Sequence, residues 1–119
     1  LGVLQPNDVM LLISNSGKTR EIIELTALAR GLRPDVKFIV ITGNKESLLA
    51  KEADICLYTG NPKEVCILGL TPTTSTTMMT VIGDIIVVGT MKKIKFTNEE
   101  YAKRHHGGYL GEKSREQSK

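Results

Sequence analysis

The sequence predicts an α/β fold, an open parallel sheet flanked by helices, and three observations carry that expectation. Residues 8–14 and 36–42 are apolar runs without alternation, the pattern of strands buried on both faces. The segment between them, residues 19–32, repeats Ile22, Leu25, Ala29 and Leu32 at helical spacing. A short helical piece at 47–53 then leads into a third run at 54–58. Strand, helix, strand, helix, strand with tight connections implies right-handed parallel crossovers.

Each boundary has a local cause. Gly31 supplies a stop for the first helix and Pro34 makes it firmer. Beyond Tyr58 the character changes, and residues 59–77 form a loop rich in Gly, Pro and Thr. Residues 78–91 are apolar nearly all round and predict a buried helix. A short helix is expected over 98–104, capped by Asn98 with Glu99 and Glu100 in its first turn. Residues 105–111 are Gly-rich and read as irregular, and 112–119 as a frayed polar tail. The organisation expected is thus one domain over 1–111 followed by that tail. The chain opens on Leu1-Gly2 as though entering mid-fold, so an upstream strand and helices are expected as well.

Composition narrows the function classes. A chain of 119 residues with 40% apolar and 24% charged residues suits one globular domain. The net charge of +3 comes from the last quarter, where residues 92–119 hold eight basic and four acidic groups. With no Trp, two Phe and three Tyr there is no aromatic platform for bases, and no nucleic-acid partner is expected. The longest apolar runs, at 9–13 and 85–88, fall short of the roughly 18 residues that span a bilayer, so no membrane partner is expected. The N-terminus lacks the pattern of a signal peptide. Two cysteines, Cys56 and Cys66, fit a reducing, cytoplasmic compartment, and Cys66 reads as a small buried hydrophobe. Neither has a partner at zinc spacing, so no metal or other cofactor is assigned.

The most informative stretch is Ser14-Asn15-Ser16-Gly17-Lys18-Thr19-Arg20-Glu21-Ile22. It joins the end of a buried strand to the start of a helix, where open α/β sheets bind ligands and a helix N-terminus suits a phosphate. Ser14, Ser16 and Thr19 add neutral hydroxyls, and Gly17 lets the backbone come close. A P-loop is excluded, because the position five before Gly17 is Leu12, inside the strand. An ordinary polar turn capping a helix would read the same way.

The same residues carry a resemblance. The turn at 14–22, then Ile41-Thr42-Gly43-Asn44, Ser47-Leu48-Leu49-Ala50, Ala53-Asp54, residues 63–70, the Thr/Ser cluster at 71–77, Gly83-Asp84 and residues 105–111 together resemble the sugar isomerase (SIS) domain family. They are similar to its arabinose-5-phosphate isomerase branch, which interconverts D-arabinose 5-phosphate and D-ribulose 5-phosphate. The resemblance implies a flavodoxin- or Rossmann-like three-layer α-β-α sandwich and a homodimer or homotetramer. It implies catalytic roles for Glu21, Glu64 and His105 and a phosphate held by Ser14, Ser16 and Thr19. Asn15, Gly17, Thr74 and Ser75 are weaker substrate-binding candidates. Members also carry an earlier strand and Gly-rich turn, and often paired CBS modules after the domain. Ile67 and His106 stand where the family usually has Pro.

Taken as bare residues, these positions have ordinary roles too. Glu21 favours a helix dipole, Glu64 reads as a solvated loop acid, and His105 as a cation at a helix C-terminus. The chemistry nonetheless suits them. Aldose–ketose isomerisation moves a proton between adjacent carbons through an enediol, which needs a base and a second group that shuttles protons between oxygens. Three functions therefore stand at this point: a phosphosugar isomerase, a module that binds a sugar phosphate without converting it, and a structural subunit.

Overall fold

β1 (Val9–Ile13), β2 (Lys37–Thr42) and β3 (Ile55–Tyr58) form one parallel sheet in that order in the computed structural model, which describes residues 1–118. Leu11 pairs with Ile39 and Ile39 with Ile55, so the strands run in step. Helix α1 (Arg20–Leu32) connects β1 to β2, and α2 (Leu48–Glu52) connects β2 to β3. Two crossovers of the same hand stepping in one direction put both helices on one face. Accordingly Ala29 of α1 and Leu49 of α2 share a core with Leu12, Phe38 and Val40. On the other face Val9, Leu11, Ile13 and Ile55 are exposed, so the expectation of burial on both faces holds for β2 rather than for its neighbours.

Side chains fasten the helices to the sheet. The Thr26 hydroxyl donates to Glu52 Oε2 at 3.1 Å, and Arg30 donates to the Glu52 carbonyl at 3.0 Å. Asp54 accepts the Phe38 N–H at 2.9 Å and the Lys37 ammonium at 3.0 Å, and these bonds hold its carboxyl below the usual range. Ser47, the N-cap of α2, accepts the Ala50 N–H.

Residues 1–82 form one compact unit and 83–119 a second, the division falling inside α3 (Thr74–Lys93). This helix corrects two expectations. It starts four residues earlier than residue 78, and only Ser75 and Met79 in it are buried, whereas Val81, Ile85, Val87 and Val88 are exposed. By length and composition it is also apolar enough to cross a membrane. Counting uninterrupted runs missed this because Thr, Gly and Asp84 break them without ending the helix. Asp84, near its middle, would cost about 2.5–3.5 kcal/mol at a bilayer centre.

The second unit holds α4 (Asn98–Arg104) and α5 (Gly108–Glu116). The cap of α4 is Thr97, whose hydroxyl accepts the Glu100 N–H at 3.2 Å, and not Asn98. Residues 105–111 are not irregular throughout, since α5 starts at Gly108, and the expected frayed tail is helical to Glu116. Of the three glycines in this stretch Gly111 serves packing, since a Cβ there would collide with the His105 carbonyl, whereas Gly107 and Gly108 face open space. Ser114 closes the pair by donating to the Asn98 carbonyl. Lys119 lies outside the described residues.

Candidate functional site

The strand-to-helix turn after β1 is organised by its own hydroxyls. Ser14, buried, shares a 2.7 Å hydrogen bond with Thr19 and accepts the Gly17 N–H at 3.1 Å. Ser16 accepts the Lys18 N–H at 3.1 Å and remains exposed. Thr19 is the N-cap of α1, yet its hydroxyl caps nothing because it is committed to Ser14. The first turn of α1 therefore keeps N–H groups free of a side-chain cap, the property that suits a helix start to an anion.

Gly17 has a different task from the one composition suggests. Its φ is +62°, and a Cβ there would run into the Ser47 side chain and approach Thr42 Oγ1 to 3.2 Å. The missing side chain thus seats the turn on the cap of α2. Asn15 is fixed by the end of β2 and the residue after it: its carbonyl accepts the Gly43 N–H at 3.0 Å and the Thr42 hydroxyl at 3.2 Å.

Two open hollows lie at the carboxyl ends of the strands. One, about 530 Å³, is lined by Ser16 and Lys18 from the turn, Asn44 and Lys45 after β2, and Tyr58 at the end of β3. The other, about 490 Å³, is lined by Lys63, Glu64, Gly69 and Leu70. Asn15 and Asn61 border both. Reading the sequence missed Lys45, Tyr58 and Asn61; the available signal was that they follow strand ends, where α/β sheets gather ligand contacts.

Glu64 is not the solvated acid its loop suggests. Half-buried, its Oε2 accepts the Thr73 N–H at 2.7 Å, the Thr73 hydroxyl at 2.8 Å and the Ser75 N–H at 3.3 Å. Hydrogen bonds from the Ser75 and then the Thr73 side chain hold its pKa down to about 2. Glu64 thereby caps α3 across the chain and gathers Thr74 and Ser75, the first residues of that helix. The sign follows: the carboxylate stabilises the fold fully above its ordinary 4.5, and this is lost as pH falls through about 2. The melting temperature should drop across that window, and the difference between wild type and Glu64→Gln isolates the contribution, since Asp54 and Glu100 are also depressed. Parallel acid limbs in the two proteins would sink this.

Cys66 is half-buried rather than a core hydrophobe. Its Sγ accepts the N–H groups of Thr71 at 3.1 Å and Leu70 at 3.2 Å, and these bonds, Thr71 first, lower the thiol to about 7. Glu21 is exposed in the first turn of α1 and lines neither hollow. His105 belongs to the second unit, where it ends α4 and its ring stacks on Tyr101 at 4.2 Å. Its Nδ1 faces the Tyr101 carbonyl at 3.4 Å. The same carbonyl also accepts the His105 backbone N–H at 3.1 Å, and since a carbonyl only accepts, the ring contact is a hydrogen bond only when Nδ1 carries the proton. Among the described residues no three His, Cys, Asp or Glu side chains gather to hold a metal.

Comparison with known proteins places this geometry. The SIS domain profile matches residues 1–88, which include all of the turn, both hollows and most of α3. Arabinose 5-phosphate isomerase KdsD of Yersinia pestis is 44% identical over 95% of this chain and 34% of that protein, and the Salmonella typhi protein 46% over the same shares. The chain thus spans about a third of the length of these curated relatives. Among solved structures, a Bacteroides fragilis protein described as a phosphosugar isomerase involved in capsule formation is 72% identical, with a TM-score of 0.88 over 91% of this chain and 56% of that one. An Escherichia coli CFT073 protein in complex with arabinose 5-phosphate is 33% identical, with a TM-score of 0.76 over 87% and 54%. With the profile matched over most of its length and the same fold in these structures, the chain belongs to the SIS domain family.

Proposed function

We propose that this chain is the phosphosugar-binding part, residues 1–111, of an aldose–ketose isomerase of the D-arabinose 5-phosphate/D-ribulose 5-phosphate type. The observation that carries the reading is the continuity of the site: a hydroxyl turn suited to a phosphate and a hollow bordered by Glu64 adjoin through Asn15 and Asn61. The resemblance to KdsD proteins and to a structure in complex with arabinose 5-phosphate supports the choice of sugar. In this reading Ser16, Thr19 and the uncapped start of α1 take the phosphate, while Ser14 holds the turn in shape.

The chemistry moves one proton on carbon and one between oxygens. A base takes the proton from C2 of the open-chain aldose, giving an enediol, and returns it to C1; meanwhile a proton passes from O2 to O1. Glu64 or Glu21 serves as the carbon base and the His105 imidazole as the oxygen shuttle. The exposed Val81, Ile85 and Val88 of α3 support assembly into a homodimer or homotetramer.

One observation favours the rival reading, a module that binds without converting: Glu64 already has a role as a helix cap and is held well below the pH of use. The two readings separate in heavy water. The intact protein, incubated with arabinose 5-phosphate, should place deuterium on C1 or C2; tight binding without exchange leaves the binding module. Ser16→Ala should weaken sugar-phosphate binding roughly 10- to 150-fold, as loss of one hydrogen bond to a charged group does. A titration unchanged by that substitution would remove the turn from the phosphate site.

A further inference from the structure

Resting on the sugar-phosphate reading above, we infer that Asn61 determines which sugar the site accepts, by hydrogen bonding the hydroxyls in the middle of the carbon chain. The two hollows share only Asn15 and Asn61. One hollow is lined by Ser16 and Lys18 of the proposed anion-binding turn; the other is lined by Glu64, the proposed acid–base residue. A sugar phosphate has the same order, with phosphate at one end, carbonyl at the other and hydroxyls between. Whatever borders both hollows meets those middle hydroxyls.

The residue type suits the task. Each sugar hydroxyl both donates and accepts, and a carboxamide offers one acceptor and a two-proton donor on a single rigid group. Asn15 is constrained in using its own: its carbonyl is taken by Gly43 and Thr42, and its Oδ1 packs so closely on Gly43 that a Cβ there would collide with it. Asn61 has an exposed side chain and a left-handed backbone, φ 50°, directly after Gly60 at φ 84°. Asn tolerates that conformation better than most residues, and the paired turn places Asn61 on the border of both hollows as the chain leaves β3. Discrimination between epimers follows, because moving one hydroxyl to the opposite face breaks a directional bond while leaving the phosphate contacts intact.

Calorimetric titration of the intact protein with arabinose 5-phosphate, its C2 epimer ribose 5-phosphate, and inorganic phosphate tests this. Asn61→Gly keeps the backbone conformation accessible, and Asn61→Asp keeps the shape but loses the donor. Both should weaken arabinose 5-phosphate binding about 3- to 10-fold and narrow its preference over the epimer, with inorganic phosphate bound as by wild type. Should one variant fail to fold, the other carries the comparison. Unchanged binding and an unchanged epimer ratio overturn the role of Asn61 and leave the function standing. So does equal weakening of inorganic phosphate, which would make Asn61 part of the anion site. A wild-type protein that binds neither pentose phosphate overturns the function and this inference together.

Discussion

Glu64→Gln and His105→Ala should each cut turnover of the intact protein by roughly 100- to 10,000-fold while leaving sugar-phosphate binding largely intact. The amide has the shape of the carboxylate but cannot accept the proton from carbon. Loss of the imidazole removes the group proposed to carry the proton between the two oxygens. The Glu64 prediction carries a structural consequence. With three hydrogen bonds on Oε2 and a pKa near 2, the carboxylate is a weak base as it stands. To take a proton from carbon it must give up bonds to Thr73 and Ser75, which would raise its basicity towards the ordinary carboxylate range. Thr73→Val, which removes the hydroxyl, should therefore alter turnover more than sugar-phosphate affinity. Glu21→Gln is the less clean variant, because it also removes a charge near a helix N-terminus worth about 0.3–1 kcal/mol. Deuterium exchange into the substrate is the measurement, since it reports the enediol whichever sugar is preferred. Wild-type exchange in both the Glu64 and His105 variants would leave these residues outside the chemistry.

Gly17→Ala should be the most destabilising single change in the turn. A left-handed backbone costs an L-residue about 1–2 kcal/mol, and forcing a methyl against the Ser47 side chain adds roughly 1–3 kcal/mol of overpacking. The expected loss is about 2–5 kcal/mol, readable as a lower urea midpoint at unchanged slope. Gly60→Ala is the matched control: its φ is +84°, but a Cβ there meets open space, so the strain remains without the collision. Gly17→Ala with Ser47→Gly should lose less than the two single changes summed, because the second removes the obstacle to the first. Equal losses at Gly17 and Gly60 would show that Ser47 offers no obstruction.

The elements that the sequence determined by itself are those with a local cause. β1, β2 and β3 are runs of apolar and β-branched residues, and α1 has an apolar stripe with Pro34 just beyond its end; each is set by neighbours a few positions away. The hydroxyl turn was legible for the same reason, since Ser14, Ser16, Gly17 and Thr19 lie within six residues and hydrogen bond among themselves and with Lys18. What only the tertiary structure decided involves partners distant in sequence. Glu64 becomes a helix cap through Thr73 and Ser75, nine and eleven residues on. Gly17 is required by Ser47, and Asn15 is held by Thr42 and Gly43. Asn61 enters the site because three parallel strands end at one edge of the sheet and bring their following loops together. The glycines near the C-terminus and the exposed apolar side chains of α3 make the same point from the other side. Composition records how apolar or flexible a segment is, but whether that surface is covered, and by what, depends on packing that no local pattern encodes.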